Sequence, residues 1–136
     1  MQRGQHIVAV AALITRGDTI LAMRRAPTNE AGPGLWETLS GRVERGEEPL
    51  DAVRREIQEE CGLAVEVETR PFDCYAAQRK GEPMIVVLYR ARYQAGDVRV
   101  SAEHDAFAWL TAEQFAAHST LLPLVAAVQK ALALAL

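Results

Sequence analysis

The sequence predicts an α+β domain with a mixed β-sheet and helices packed outside it. Three observations predict it. Strand-like apolar runs lie on both sides of a single amphipathic helix, and a second apolar helix closes the chain. With 136 residues, 49% of them hydrophobic, the chain has material for one domain, residues 1–136, with a buried core.

Residues 6–15 and 19–23 read as two strands joined by a tight turn at Arg16, Gly17 and Asp18. The first is apolar on both faces, which places it in the middle of a sheet. Its run 7–14 follows Arg3 as a signal-peptide core would, but it leads straight into a turn and another strand, so it is read as sheet. Arg24 and Arg25 end the second strand. They are either surface residues or a phosphate contact, for which the planar donor fork of arginine is suited. Neighbours on a strand point to opposite faces, so only one can reach a site, and Arg24 is favoured. Residues 26–35, with Pro27, Gly32, Pro33 and Gly34, form a loop of the kind that lines pockets. A short strand follows over residues 36–40, where Trp36 is either core or a platform for a nucleobase.

The helix begins at Pro49, suited to a first turn, and ends before Gly62, suited to the position just past the end. Leu50, Val53, Ile57 and Cys61 make its apolar stripe, while Glu56, Glu59 and Glu60 share another arc of about 100°. Glu56 and Glu60 are like charges at i,i+4, and Glu59 and Glu60 oppose the helix dipole in the last turn. The early acids Glu47, Glu48 and Asp51 obey the dipole rule, so the late cluster is a local fault that a cation must offset. Arg54 and Arg55 are too few to do it. A divalent ion is the better candidate, and oxygen-only ligands select Mg²⁺ or Mn²⁺.

Beyond the helix, Val65, Val67 and Thr69 alternate with Glu66, Glu68 and Arg70, as on a half-exposed strand. Residues 72–77 continue it or start another, 78–83 form a polar turn, and 84–93 form an apolar strand antiparallel to its predecessor. After a turn at 94–97, residues 101–105 are a polar connection to a strand at 106–110. Thr111 and Gln114 make a capping box that opens a short helix. The final helix, from about Leu122, presents Leu124, Val125, Val128, Ala131, Leu132 and Ala135 on one side, to cover the sheet or to meet a second copy in a homodimer.

A net charge of −3 gives no basic surface for gripping nucleic acid, whereas small metal-chelated anions remain compatible with it. Only Cys61 and Cys74 are present, without zinc-ligand spacing, which fits reduced thiols in a cytoplasm. The apolar C-terminal stretch is shorter than the ~20 residues a membrane span needs and is interrupted by Pro123, Gln129 and Lys130, so no membrane anchor is read from it.

Residues 41–63, GRVERGEEPLDAVRREIQEECGL, fit the pattern G-x5-E-x7-R-E-U-x-E-E-x-G-U, with U a bulky aliphatic, at every position. Chance odds of that are on the order of 10⁻⁷ from average residue usage. The segment resembles the signature box of the Nudix hydrolases, and the preceding GLWE and the later Glu-then-Trp pattern resemble its small MutT-like, nucleotide-cleaving members. The resemblance implies the Nudix fold, an α/β/α sandwich, and a metal site formed by Glu56, Glu59 and Glu60 with the carbonyl of Ser40. It implies that Glu56 or Glu59 also orients or deprotonates water, and that Arg55 pairs with Glu47 to hold the loop on the helix. Gly41 and Gly62 would permit turns at the two ends. An additional acid from a later loop is expected as ligand or base; Glu103 is in place for it, ahead of Glu82 and Asp105, and the adjacent His104 reads as a surface residue.

The implied reaction is Mg²⁺-dependent cleavage of a nucleoside diphosphate linked to another moiety, foremost a nucleoside triphosphate giving monophosphate and pyrophosphate. The strand entering the box reads TLSG where many nucleotide-sanitising relatives carry FPGG, which counts against oxidised nucleotides in particular. The alternatives are an ADP-ribose or nucleotide-sugar pyrophosphatase, a nucleotide-sensing domain without turnover, and an isomerase of the isopentenyl diphosphate type. A sensor often lacks box glutamates, all of which are kept here, and neither cysteine sits in a recognisable isomerase site.

Overall fold

The computed structural model describes residues 4–30 and 32–134; Arg3 and Ala135, used above, lie outside the described residues. Strand β1 (Ile7–Arg16) runs through the centre. Its odd residues Ala9, Ala11 and Leu13 enter one core and its even residues Val10, Ala12 and Ile14 the other, because successive side chains point to opposite faces.

The sheet forks along one edge of β1. Strand β2 (Thr19–Arg25) pairs with β1 only at Thr15↔Ile20 and Arg16↔Thr19. It then leaves to pair with β3 (Trp36–Glu37) and β8 (His104–Leu110). The vacated edge of β1 is taken by β4 (Leu39–Arg42), from Ala12↔Leu39 to Ala9↔Arg42. The expected strand at 36–40 is therefore two strands with different partners, separated at Thr38. On its other edge β1 runs parallel to β7 (Glu82–Ala95), which also pairs antiparallel with β5 (Ala64–Val67) and β6 (Asp73–Arg79). The sheet is mixed, as expected.

Helix α1 (Pro49–Glu60) covers one face, and α2 (Ala112–His118) and α3 (Leu122–Ala133) cover the other. This is the three-layer order that the resemblance implied. Burying Val53 and Ile57 of α1 stabilises by roughly 1.5–3 kcal/mol each, well above the few tenths its late acids cost. Packing thus carries this helix despite its charges. Cys61 caps it, and Gly62, at φ +70°, turns the chain away while its N–H reaches Ile57 O at 2.9 Å.

Two boundaries differ from expectation. The polar turn at 78–83 contracts to Lys80 and Gly81, both at positive φ, so β6 and β7 extend through Arg79↔Glu82 as a two-residue hairpin. Strand β8 starts at His104, inside the segment read as a polar connection. Thr111 and Gln114 do form the reciprocal capping box.

Candidate active site

The loop between β4 and α1 is pinned by one guanidinium. Arg55 Nε donates to Glu47 Oε2 at 2.9 Å, and its Nη2 donates to Glu47 Oε1 at 3.0 Å and to the Arg42 carbonyl at 3.0 Å. Glu47 Oε1 also accepts from the Glu44 N–H at 3.0 Å. The Arg55 bonds, then that N–H, hold the Glu47 carboxyl down at about 2. The pairing expected from the resemblance is present. Arg55 does more than pin the loop, because Nη1 also contacts Glu56 Oε1 at 2.8 Å and Glu59 Oε2 at 3.2 Å.

Glu56 and Glu60 are buried at 7% exposure each and line a cavity of about 220 Å³ at the fork of the sheet. Burial raises the Glu56 pKa; Arg55 opposes this, while Glu60 and Glu59 push it further up. A Cβ at Gly41 would overlap the Glu56 carboxylate. Gly41 therefore serves close approach within β4 and not the turn expected of it; its φ is outside the left-handed region that Gly62 occupies. Glu59 is placed differently. Its side chain is 56% exposed, lies on Arg55, and does not line the cavity.

Behind these carboxylates runs a buried chain of polar groups. Arg25 Nη2 donates to Glu37 Oε1 at 3.0 Å, and Glu37 Oε2 lies 2.9 Å from His104 Nε2. His104 Nδ1 is 3.2 Å from Glu60 Oε2, near enough for a charge contact but out of line for a hydrogen bond. Burial works against the imidazolium, but Glu37 and Glu60 outweigh it and raise His104 to about 9. Burial likewise opposes the Glu37 carboxylate, yet His104 and Arg25 leave its pKa lowered.

This arrangement corrects two expectations. His104, at 4% exposure, is an interior residue and not a surface one, because β8 begins at it and turns its ring inward. Of the two arginines, Arg25 lines the cavity and Arg24 does not. Strand alternation, with a register shift between them, sends Arg24 to Asp105 at 2.8 Å. Trp36 lines neither this cavity nor its neighbour; it stands edge-on to His118 at 5.4 Å and packs on the α2–α3 core, the alternative to base stacking.

Ser40 and Glu103 do line the cavity. Ser40 Oγ is 3.5 Å from Glu37 Oε1, and Glu103 Oε2 accepts from Asn29 Nδ2 at 3.2 Å. Arg42 and Arg79 stand at the same cavity, and among the described residues neither guanidinium has an ion-pair or hydrogen-bond partner. The cavity opens into a larger groove of about 520 Å³ that shares Arg25, Ser40, Arg42 and Arg79 and continues over Ala9, Ala11, Tyr75, Ala77 and Met84 to the start of α3.

A family model described as the NUDIX domain matches residues 5–133. The chain belongs to the Nudix family. It is 39% identical over 111 residues to an octanoyltransferase of Myxococcus xanthus, a match covering 76% of this chain and 30% of that protein. It is 34% identical over 110 residues to a MutT-like protein of Streptomyces ambofaciens, covering 80% and 66% of the two. Against the CTP pyrophosphohydrolase of Escherichia coli K12 the figures are 32% over 112 residues, 79% and 78%. The chain thus spans less than a third of the first of these relatives and about two thirds of the second. The crystal structure of a MutT protein from Methanosarcina mazei superposes with a TM-score of 0.83 at 22% identity, covering 98% of this chain and 96% of that one, which shows the shared fold.

The Nudix box residues were legible, but Arg25, Glu37, Arg79 and His104 were not. Glu37 stood in the GLWE that was noted, yet nothing in one sequence marks a glutamate as buried. As they stand, the box carboxylates do not form a finished cage: among the described residues no group of three or more His, Cys, Asp or Glu side chains is gathered to hold a metal ion. Two buried, mutually repelling carboxylates on one cavity do suit a hard cation that takes its remaining ligands from water and substrate.

Proposed function

We propose that this Nudix protein is a Mg²⁺- or Mn²⁺-dependent hydrolase that cleaves a nucleoside triphosphate to the monophosphate and pyrophosphate. The observation that carries the reading is the junction of two unlike cavities. Buried Glu56 and Glu60 share one cavity with Arg42 and Arg79, which are unpaired among the described residues, and a largely apolar groove of about 520 Å³ adjoins it. A polyphosphate needs the first and a base the second.

In this reading Glu56 and Glu60 would hold the cation, with the Ser40 carbonyl that the family resemblance implies, and Glu59 would join them only by leaving its pair with Arg55. The ion supplies charge neutralisation of the phosphates. Arg42 and Arg79 donate to phosphate oxygens, and Arg25 keeps Glu37 in place below them. Glu103 accepts a proton from the attacking water, whose oxygen bonds to phosphorus as the bridging P–O bond breaks and pyrophosphate leaves. The alanines at 9, 11 and 77 give the groove small apolar lining that a base would contact. The CTP pyrophosphohydrolase relative supports a nucleoside triphosphate over a nucleotide sugar.

The test is a panel of nucleoside triphosphates, an oxidised triphosphate and ADP-ribose with Mg²⁺, scored for pyrophosphate and monophosphate. Pyrophosphate from a triphosphate is expected. Glu60→Gln should cut turnover by more than the roughly 10–100-fold that loss of an outer-shell partner costs, with the unfolding midpoint kept. Cleavage of ADP-ribose alone, or normal turnover in Glu60→Gln, would overturn the reading.

A further inference from the structure

Glu60 is gripped on one oxygen only. Its Oε2 accepts from the Ser101 hydroxyl at 3.0 Å and lies 3.2 Å from His104 Nδ1, while among the described residues Oε1 has no partner. His104 is gripped in turn: Nε2 meets Glu37 Oε2 at 2.9 Å, and Glu37 Oε1 is taken by Arg25 at 3.0 Å. Both Glu37 oxygens are therefore engaged, which makes Glu37 an anchor and not a further cation ligand. The chain Arg25–Glu37–His104–Glu60 links the end of β2, β3, the first residue of β8 and the last residue of α1.

A carboxylate at a helix end can turn about its last bonds, and a turn of one oxygen spoils a ligand geometry. An imidazole suits the position because its two nitrogens face outward from opposite sides of a rigid ring, so that Nε2 is held by Glu37 while Nδ1 stands 3.2 Å from Glu60 Oε2. Asn or Gln can engage one carboxylate well, and Leu would leave two buried carboxylates facing each other.

We propose that His104 is a positioning residue that locks Glu60 against the Arg25–Glu37 anchor, so that Oε1 is the oxygen left for the metal ion. This rests on the reading of Glu60 as a metal ligand. His104 touches neither substrate nor the reacting atoms; it acts through Glu60.

The experiment is Mn²⁺ titration of the whole chain without nucleotide, followed by the free-ion spin-resonance signal, with urea unfolding of each variant alongside. His104→Gln is expected to weaken Mn²⁺ binding about 10–100-fold. Turnover in that variant should recover as Mn²⁺ is raised, since the defect is in holding the ion. Glu37→Gln, which leaves the imidazole but loosens its anchor, should shift affinity in the same direction, and Ser101→Ala should do so by freeing Oε2. Folded His104→Gln and Glu37→Gln proteins that bind Mn²⁺ within about twofold of wild type would overturn the proposal. Should His104→Gln fail to fold, unchanged affinity in Glu37→Gln and Ser101→Ala would overturn it equally. A wild-type chain that binds no Mn²⁺ would overturn the ligand reading itself, a result distinct from wild-type binding that the variants do not disturb.

Discussion

Gly41 shows how tightly the carboxylates are housed. Its backbone is extended enough for any residue, so Ala at this position gains stability of about 0.4–1 kcal/mol from the unfolded chain if nothing else moves. The added Cβ, however, would displace the Glu56 carboxylate. Gly41→Ala is expected to lower turnover at least about tenfold with an unfolding free energy within about 1 kcal/mol of wild type, read from steady-state kinetics and urea midpoints. A second residue-scale expectation concerns acid. Glu47 titrates at about 2 in the fold against an ordinary 4.5, so its contribution is complete above pH 4.5 and is lost as pH falls toward 2. The stability difference between wild type and Glu47→Gln, measured by urea unfolding across that window, should shrink steadily as the solution is acidified. Both residues were legible in the box, but only Glu47 for the right reason. A sequence shows that a glycine is required without showing whether it is needed for a turn or for the space a Cβ would fill.

Among the elements, the box loop and α1 were the most legible, because caps, stripe and acid cluster all lie within one contiguous stretch. The end of β2 and the start of β8 were the least. Whether Arg24 or Arg25 faces inward depends on pairing with residues some eighty positions away, and the register shift between them has no local signal. The consequence can be measured. Arg24 is 43% exposed in its pair with Asp105, so Arg24→Ala should leave stability nearly unchanged. Arg25 is 17% exposed and holds one oxygen of buried Glu37, so Arg25→Ala should cost about 3 kcal/mol by leaving that carboxylate with His104 as its remaining cationic neighbour. Urea unfolding of the two variants ranks them; equal losses would contradict the placement. His104 was misread for the same reason as Arg25. A histidine beside acidic and polar residues looks like loop until the strand that contains it is paired.

At the scale of the molecule, the mixed sheet with helices outside followed from strands on both sides of one helix, and the central place of β1 followed from its apolar character on both faces. The fork was not legible, because β1 gives the last two residues of one edge to β2 and residues 9–12 to β4, and hydrophobic pattern specifies which side chains are buried, not which strand lies alongside. Yet the fork is what brings Arg25, Glu37, Gly41 and His104 around one cavity. Among the described residues no helix is long and apolar enough to cross a membrane. The parallel seam between β1 and β7, from Ile7↔Met84 to Thr15↔Arg92, also bears on how the molecule comes into being. During synthesis the first strand must wait, greasy on both faces and with one ladder edge bare, until the ribosome has released the hairpin that completes it. Slow closure of this long-range seam, with an exposed apolar strand until it forms, is therefore a burden that this topology carries, independent of whatever chemistry the finished pocket performs.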